Sequence, residues 1–259
     1  MLNTAFYQHP VILNRQEHAA HKLNKIENYQ FSRQLHACPI TLNELFTAAL
    51  EYPIIFAKLG EELHLMTLLG VRANENLLVA ANGQWYGRYI PAFIRRYPFL
   101  LVETEADTLS LCIDQGCPEF NLTQGHALFE TNGSPSTLLR EAFAFAQEYQ
   151  RQRYISTQFC QEMHALNLLE EMQADVLVPD GSTHQVQGFY TINKKKLAEL
   201  NTEKLKESQE KQSLAYIYAH LISLGNLSRL RERLGERVAN EARIERKLNQ
   251  DFAKSLAAL

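Results

Sequence analysis

The feature that most constrains this chain is a series of short polar turns, each set against apolar runs. Residues 54–57 and 63–69 flank Gly60-Glu61, and residues 77–81 run into Asn82-Gly83. Residues 99–103 and 109–113 flank Glu105-Ala106-Asp107, and residues 175–178 and 185–192 flank Asp180-Gly181. Parallel strands need a crossover of about a dozen residues or more, so partners joined this closely pair antiparallel. Asn82-Gly83 predicts a type I′ turn, because both residues tolerate positive φ.

Helical patterns fill the rest. Asn43 reads as the N-cap of a helix over Glu44 to Leu50, stopped by Pro53. Pro91 at a first helical position and Pro98 at the end predict a short helix between them. Ser134 as cap and Pro135 in the first turn open a long amphipathic helix from 136 to 168, with Leu138, Ala142, Phe145 and Tyr149 at spacings of three and four. Another helical pattern runs from Leu197 to Leu224 and ends near Gly225-Asn226. Beyond it Leu227, Leu230, Leu234, Val238, Ile244, Leu248, Phe252 and Leu256 form an apolar stripe among arginines, lysines and glutamates. The expected fold class is α+β. An antiparallel sheet of hairpins and meander, including residues 77–81 and 99–103, packs against the long helix, with a helical C-terminal region. A main domain over 1–226 and an amphipathic tail over 227–259 follow from the break at Gly225-Asn226.

A formal net charge of −3 gives no whole-chain field for a nucleic acid or an acidic membrane. No apolar run approaches the roughly twenty residues of a spanning helix. The opening residues lack a basic start followed by an apolar stretch, so the sequence-based expectation is a cytoplasmic protein. Cys38, Cys112, Cys117 and Cys160 have no zinc or thioredoxin spacing and read as small buried hydrophobes.

Residues 84–99 concentrate Trp85, Tyr86, Tyr89, Tyr97, Arg88, Arg95 and Arg96 in one segment. Its core, RYIPAFIRRYPF, resembles the signature of the bacterial SapC-like proteins, which are distinct from the transport permease of the same name. Three further patches are similar to that family. Near the start, Pro10, Leu13, Asn14 and His18 match a P-x-x-L-N-x-x-x-H pattern. Gly188-Phe189-Tyr190-Thr191-Ile192-Asn193 is similar to a G-F/L-Y-x-V-x-acid pattern, with Asn193 where the family has the acid. Residues 219–226, AHLISLGN, resemble A-H-L-x-S-L-x-N. The resemblance implies an accessory protein associated with surface-layer or export systems.

The residues themselves suggest two functional readings. Arg88, Arg95 and Arg96 can hold a carboxylate or phosphate in forked hydrogen bonds while Trp85, Tyr89 and Tyr97 stack on it, and the start of the Pro91 helix adds backbone N–H groups. The chain is then a binder of a partner or small anionic ligand. Alternatively these residues, with His220 as a base, line the pocket of a small-molecule enzyme. Against both, the arginines can pair internally with Glu103 or Glu105, and His220 can be a core residue. His18 and His21 share a helix face without a third ligand at metal spacing, and no metal or cofactor is expected. No G-x-S-x-G, P-loop, Rossmann or H-E-x-x-H pattern is present. The mixed charges of the tail suit docking to a partner or self-association more than a membrane surface.

Overall fold

The computed structural model describes residues 6–103, 109–178 and 180–257, with the side chains of the last helix described through Phe252 and at Ser255. The expected turn at Glu105-Ala106-Asp107 lies outside the described residues. In chain order the elements are β1 (Pro10–Ile12), α1 (Arg15–His18), β2 (Lys22–Leu23), β3 (Ala37–Pro39), α2 (Leu42–Ala48), β4 (Ile54–Leu59) and β5 (Glu62–Leu68). There follow α3 (Ala92–Arg95), β6 (Phe99–Glu103), β7 (Leu109–Asp114), β8 (Phe120–Asn121), β9 (His126–Ala127) and α4 (Thr137–Ala165). The chain then forms β10 (Leu169–Leu177), β11 (Thr183–Ile192), α5 (Lys194–Ala198), α6 (Thr202–Glu210), α7 (Ser213–Ser223) and α8 (Leu227–Ala257).

The fold is α+β and its strand pairs are antiparallel. Among the described residues the strands form three sheets where the sequence predicts one: β10-β11-β4-β5-β3, β1-β7-β6 and the small β8-β2-β9. The long helix α4 packs on both β5 and β6 and so bridges the two larger sheets. The hairpins around Gly60 and Asp180-Gly181 form as expected. In β11 the register shifts by one residue against β10, and Gly188 sits there with φ +74°, a left-handed conformation that a glycine adopts without strain.

Residues 77–81 are not a strand. Leu77, Leu78, Val79 and Ala80 are all buried, so the run threads the core without an exposed face, and only Val79 bridges to Trp85. The Asn82-Gly83 turn is of another type than expected. The Gly83 N–H donates to Ala80 O at 3.0 Å, the Ala80 N–H donates to Gln84 O at 2.8 Å, and only Gly83 has positive φ. This is the three-residue loop in which a left-handed glycine follows a type I turn.

Two helix starts also shift. Thr41, not Asn43, caps α2, because Glu44 folds back onto the Thr41 N–H in a capping box. Ser136, not Ser134, caps α4 and accepts from the Leu139 N–H. The region 197–224 is three helices, interrupted where Asn201 caps α6 and where Gln212 takes φ +62° ahead of α7. After a single 3-10 turn at Leu224–Asn226 the chain continues into α8, whose Leu230 and Leu234 are buried in the main core while Ile244, Leu248 and Phe252 are exposed.

Candidate functional site

Two acids, Glu44 in the first turn of α2 and Glu51 just beyond its end, organise the aromatic and arginine segment. Glu44 in α2 is buried, and its Oε2 accepts from the Thr41 N–H (3.0 Å) and hydroxyl (2.6 Å). Its Oε1 accepts from the Tyr89 hydroxyl and from the Ala92 N–H, both at 2.6 Å. The N–H at the start of α3 is therefore taken by an internal carboxylate and is not open to a bound anion. Glu51 accepts the Arg88 N–H with both oxygens, at 3.0 and 2.8 Å. The Trp85 indole N–H donates to Tyr89 O at 3.0 Å and to the Tyr52 hydroxyl at 3.2 Å, and the Tyr52 hydroxyl also donates to Tyr89 O. Burial, and then the neighbouring Glu44, push the Tyr89 phenol up, so it stays a neutral donor.

The three arginines then diverge. Arg88 is exposed, and among the described residues its guanidinium has no hydrogen-bond or ion-pair partner. Arg95 lies between the Tyr89 and Phe145 rings, 5.5 and 5.3 Å from their centroids. Its Nε donates to Ile90 O at 2.8 Å and its Nη2 to the Tyr89 hydroxyl at 3.2 Å. Arg96 is buried, 4.5 Å from the Phe93 ring centroid and 5.1 Å from that of Tyr149. Tyr97 is a core residue, stacked on Phe31 at 3.9 Å, and burial raises its phenol. Trp85 is half-buried and packs edge-on against Tyr29.

His220 is remote from this segment in its contacts. It is fully buried in α7, edge-on to Phe56, and its Nε2 accepts the Ile192 N–H at 3.2 Å. Burial lowers its pKa to about 4, which keeps the ring neutral and fit to accept. His18 is also buried, with Nδ1 3.0 Å from the Asn14 N–H, and burial followed by the nearby His18 lowers His21. Among the described residues no group of three His, Cys, Asp or Glu side chains could hold a metal. All four cysteines are buried and free, and burial pushes the Cys117 and Cys160 thiols up to about 12.

Two concave surfaces result. A cleft of about 930 Å³ lies between the segment and α8, with Arg33 and Arg88 on the body side. On the α8 side Arg229 donates to Leu50 O at 2.8 Å, and Arg233 stands 5.4 Å from the Tyr86 ring centroid. Glu232 and Glu236 also line this wall. The floor is fixed by Arg237, which donates to Glu75 Oε1 (3.3 Å), Asn76 O (3.1 Å) and Val79 O (3.0 Å). Burial pushes the Glu75 carboxyl up, but Arg72 and Arg237 outweigh it and hold the group below its usual range. The second surface is a trough that shares no lining residue with the cleft, where depressions of about 420 and 350 Å³ share Ile26, Arg95, Tyr97 and Phe145.

The sequence reading singled out neither Glu44 nor Glu51 as an organiser of the segment. Thr41-x-x-Glu44 is a capping-box pattern and was the available local signal, whereas the reach of Glu44 to Tyr89 and Ala92 is not local. Arg33 and Arg233 were missed because the cleft joins distant parts of the chain. Several residues that carry the family resemblance turn out to satisfy backbone groups. Ser223 Oγ accepts the Ile54 N–H at 3.0 Å, and Asn226 donates to Ala49 O at 2.7 Å where α2 ends. Asn193 caps α5 and donates its amide to Glu170 Oε2 at 2.6 Å, a bond that an ionised acid could not make.

A family model described as SapC matches residues 13–230. No curated protein and no solved structure matches the chain.

Proposed function

This chain belongs to the SapC family, and from that premise we propose that it is a binding protein whose cleft between the arginine segment and α8 takes an acidic segment of a partner protein. The observation that carries the reading is the Arg88 guanidinium, exposed in a cleft that Arg33 also lines, while its own backbone N–H is pinned by Glu51. An arginine anchored at the backbone and unpaired at its fork has its donors free for a carboxylate. The cleft's charges are nearly balanced, so recognition rests on these forks and not on a broad positive field. The cleft is open to solvent, as a groove for an extended peptide must be. An enzyme pocket lined by Trp85, Arg88 and Arg95 would draw no base from His220, whose contacts are with Ile192 and Phe56, and this counts against that reading. The family's association with surface-layer and export systems makes a component of such a system the partner class we favour.

The test uses a fluorescent hexaglutamate peptide as probe. Arg88→Ala and Arg33→Ala should each weaken its binding by about tenfold, the value of one charge-assisted hydrogen-bonded pair, with melting temperature unchanged. Arg95→Ala should leave it unaltered. Equal binding by all three variants would refute the assignment.

A further inference from the structure

We propose that the trough around Arg95 is a second, separate binding site, for a monocarboxylate with a medium-length apolar chain. The walls are Leu23 and Ile26 on one side and Leu138, Ala142 and Phe145 of α4 on the other, with Pro98 in the floor. Such a surface offers burial to an alkyl chain, which gains roughly 0.8 kcal/mol per methylene removed from water. Two arginines line the trough: Arg96 is buried against the Phe93 and Tyr149 rings, whereas the Arg95 guanidinium has its position fixed from several directions. Two rings flank it, and its Nε and Nη2 are spent on Ile90 O and on the Tyr89 hydroxyl. That hydroxyl is itself held by the buried Glu44.

The arginine has five N–H donors, so those on Nη1 and the second on Nη2 remain for a ligand. They form one end of the fork and match the two oxygens of a carboxylate. A phosphate dianion would need further cations, and the trough supplies few. Lys25 on the rim is already paired with Glu27 at 2.8 Å, and Glu141 on the α4 side opposes extra negative charge. The cavity sizes fall in the range of small-ligand sites, about 300–1,000 Å³. Chain and charge are thus read together, by an apolar trough with one prepared guanidinium.

The experiment titrates the full chain with sodium octanoate, octanol and sodium acetate by calorimetry. Octanoate should bind saturably, with octanol and acetate each weaker by about tenfold or more. Arg95→Met keeps the stem on Phe145 and removes the fork, so octanoate should fall to the level of octanol. Ala142→Trp fills the trough and should abolish both. Arg88→Ala should leave octanoate binding unchanged, which separates this site from the cleft, and circular dichroism melting confirms that each variant is folded. The proposal is overturned if octanoate does not saturate, if acetate binds as well, or if Arg95→Met binds octanoate like the unaltered chain. Binding to vesicles of phosphatidylglycerol without binding of free octanoate would also overturn it, in favour of a lipid surface.

Discussion

Replacing Glu44 by alanine should cost about 3–5 kcal/mol, because the carboxylate is buried and serves four donors at once. Its loss strands the Thr41 and Ala92 N–H groups and the Tyr89 hydroxyl, at about 1–3 kcal/mol for each that stays dry. The Thr41 hydroxyl is spared, since it can donate to Asn43 Oδ1. Water entering the vacated space relieves part of the sum and sets the lower bound. Glu44→Gln keeps the shape but turns an NH₂ toward one pair of donors, and should cost about 2 kcal/mol. Tyr89→Phe removes one donor and should cost about 1–2 kcal/mol. Urea unfolding followed by the fluorescence of Trp85, the one tryptophan, reads all of these, and Glu44→Ala should lower the midpoint without changing the slope. In a double-mutant cycle the Glu44 and Tyr89 changes should couple by about 1 kcal/mol. A cost below about 1 kcal/mol for Glu44→Ala would show that this carboxylate does not organise the segment.

The buried His220, with its pKa lowered to about 4, should make stability depend on pH. The unfolded chain binds a proton near pH 6.5 that the folded chain refuses, so stability falls as pH drops from about 6.5 to about 4, by about 3 kcal/mol in all. His220→Gln should flatten that slope in urea titrations, and an unchanged slope would refute the assignment. Gly87→Ala should destabilise and perturb Trp85 emission. An added Cβ would lie 2.3 Å from the Tyr52 hydroxyl and 2.7 Å from Trp85 Nε1, whereas Gly225→Ala meets nothing within 4 Å and should be tolerated. A chain ending at Ala239 should melt like the full chain, because it keeps Leu230, Leu234 and the Arg237 contacts. Ending it at Asn226 should cost about 1.5–3 kcal/mol for each leucine lost from the core, and equal melting of the two shortened chains would refute that division of α8.

The two hairpins around Gly60 and Asp180 were legible because their turn residues and strand patterns are local. The partition into three sheets was not, since it depends on α4 packing across two of them. The run at 77–81 misled because continuous burial looks the same in a core strand and in a loop crossing the core. The segment was recognisable from its composition, but its geometry was not. Arg95 and Arg96 are neighbours on a helical turn and so point about 100° apart, one to the trough and one into the core. What sends Arg88 to the cleft is Glu51 holding its backbone, a contact across a long sequence separation. His220 reads as a candidate base in sequence because the backbone groups that it, Ser223 and Asn226 satisfy are invisible there.

The most direct measurement of the central claim is a charge reversal at the cleft. The full chain with Arg33→Glu and Arg88→Glu is titrated with hexaglutamate and with hexalysine, beside the unaltered chain, at low and at high salt. The account predicts that the unaltered chain binds hexaglutamate and that the reversed chain loses it and gains hexalysine. Both interactions should weaken in salt, with the melting temperature of the reversed chain unchanged. Retained hexaglutamate binding by the folded, reversed chain would contradict the cleft as the binding site.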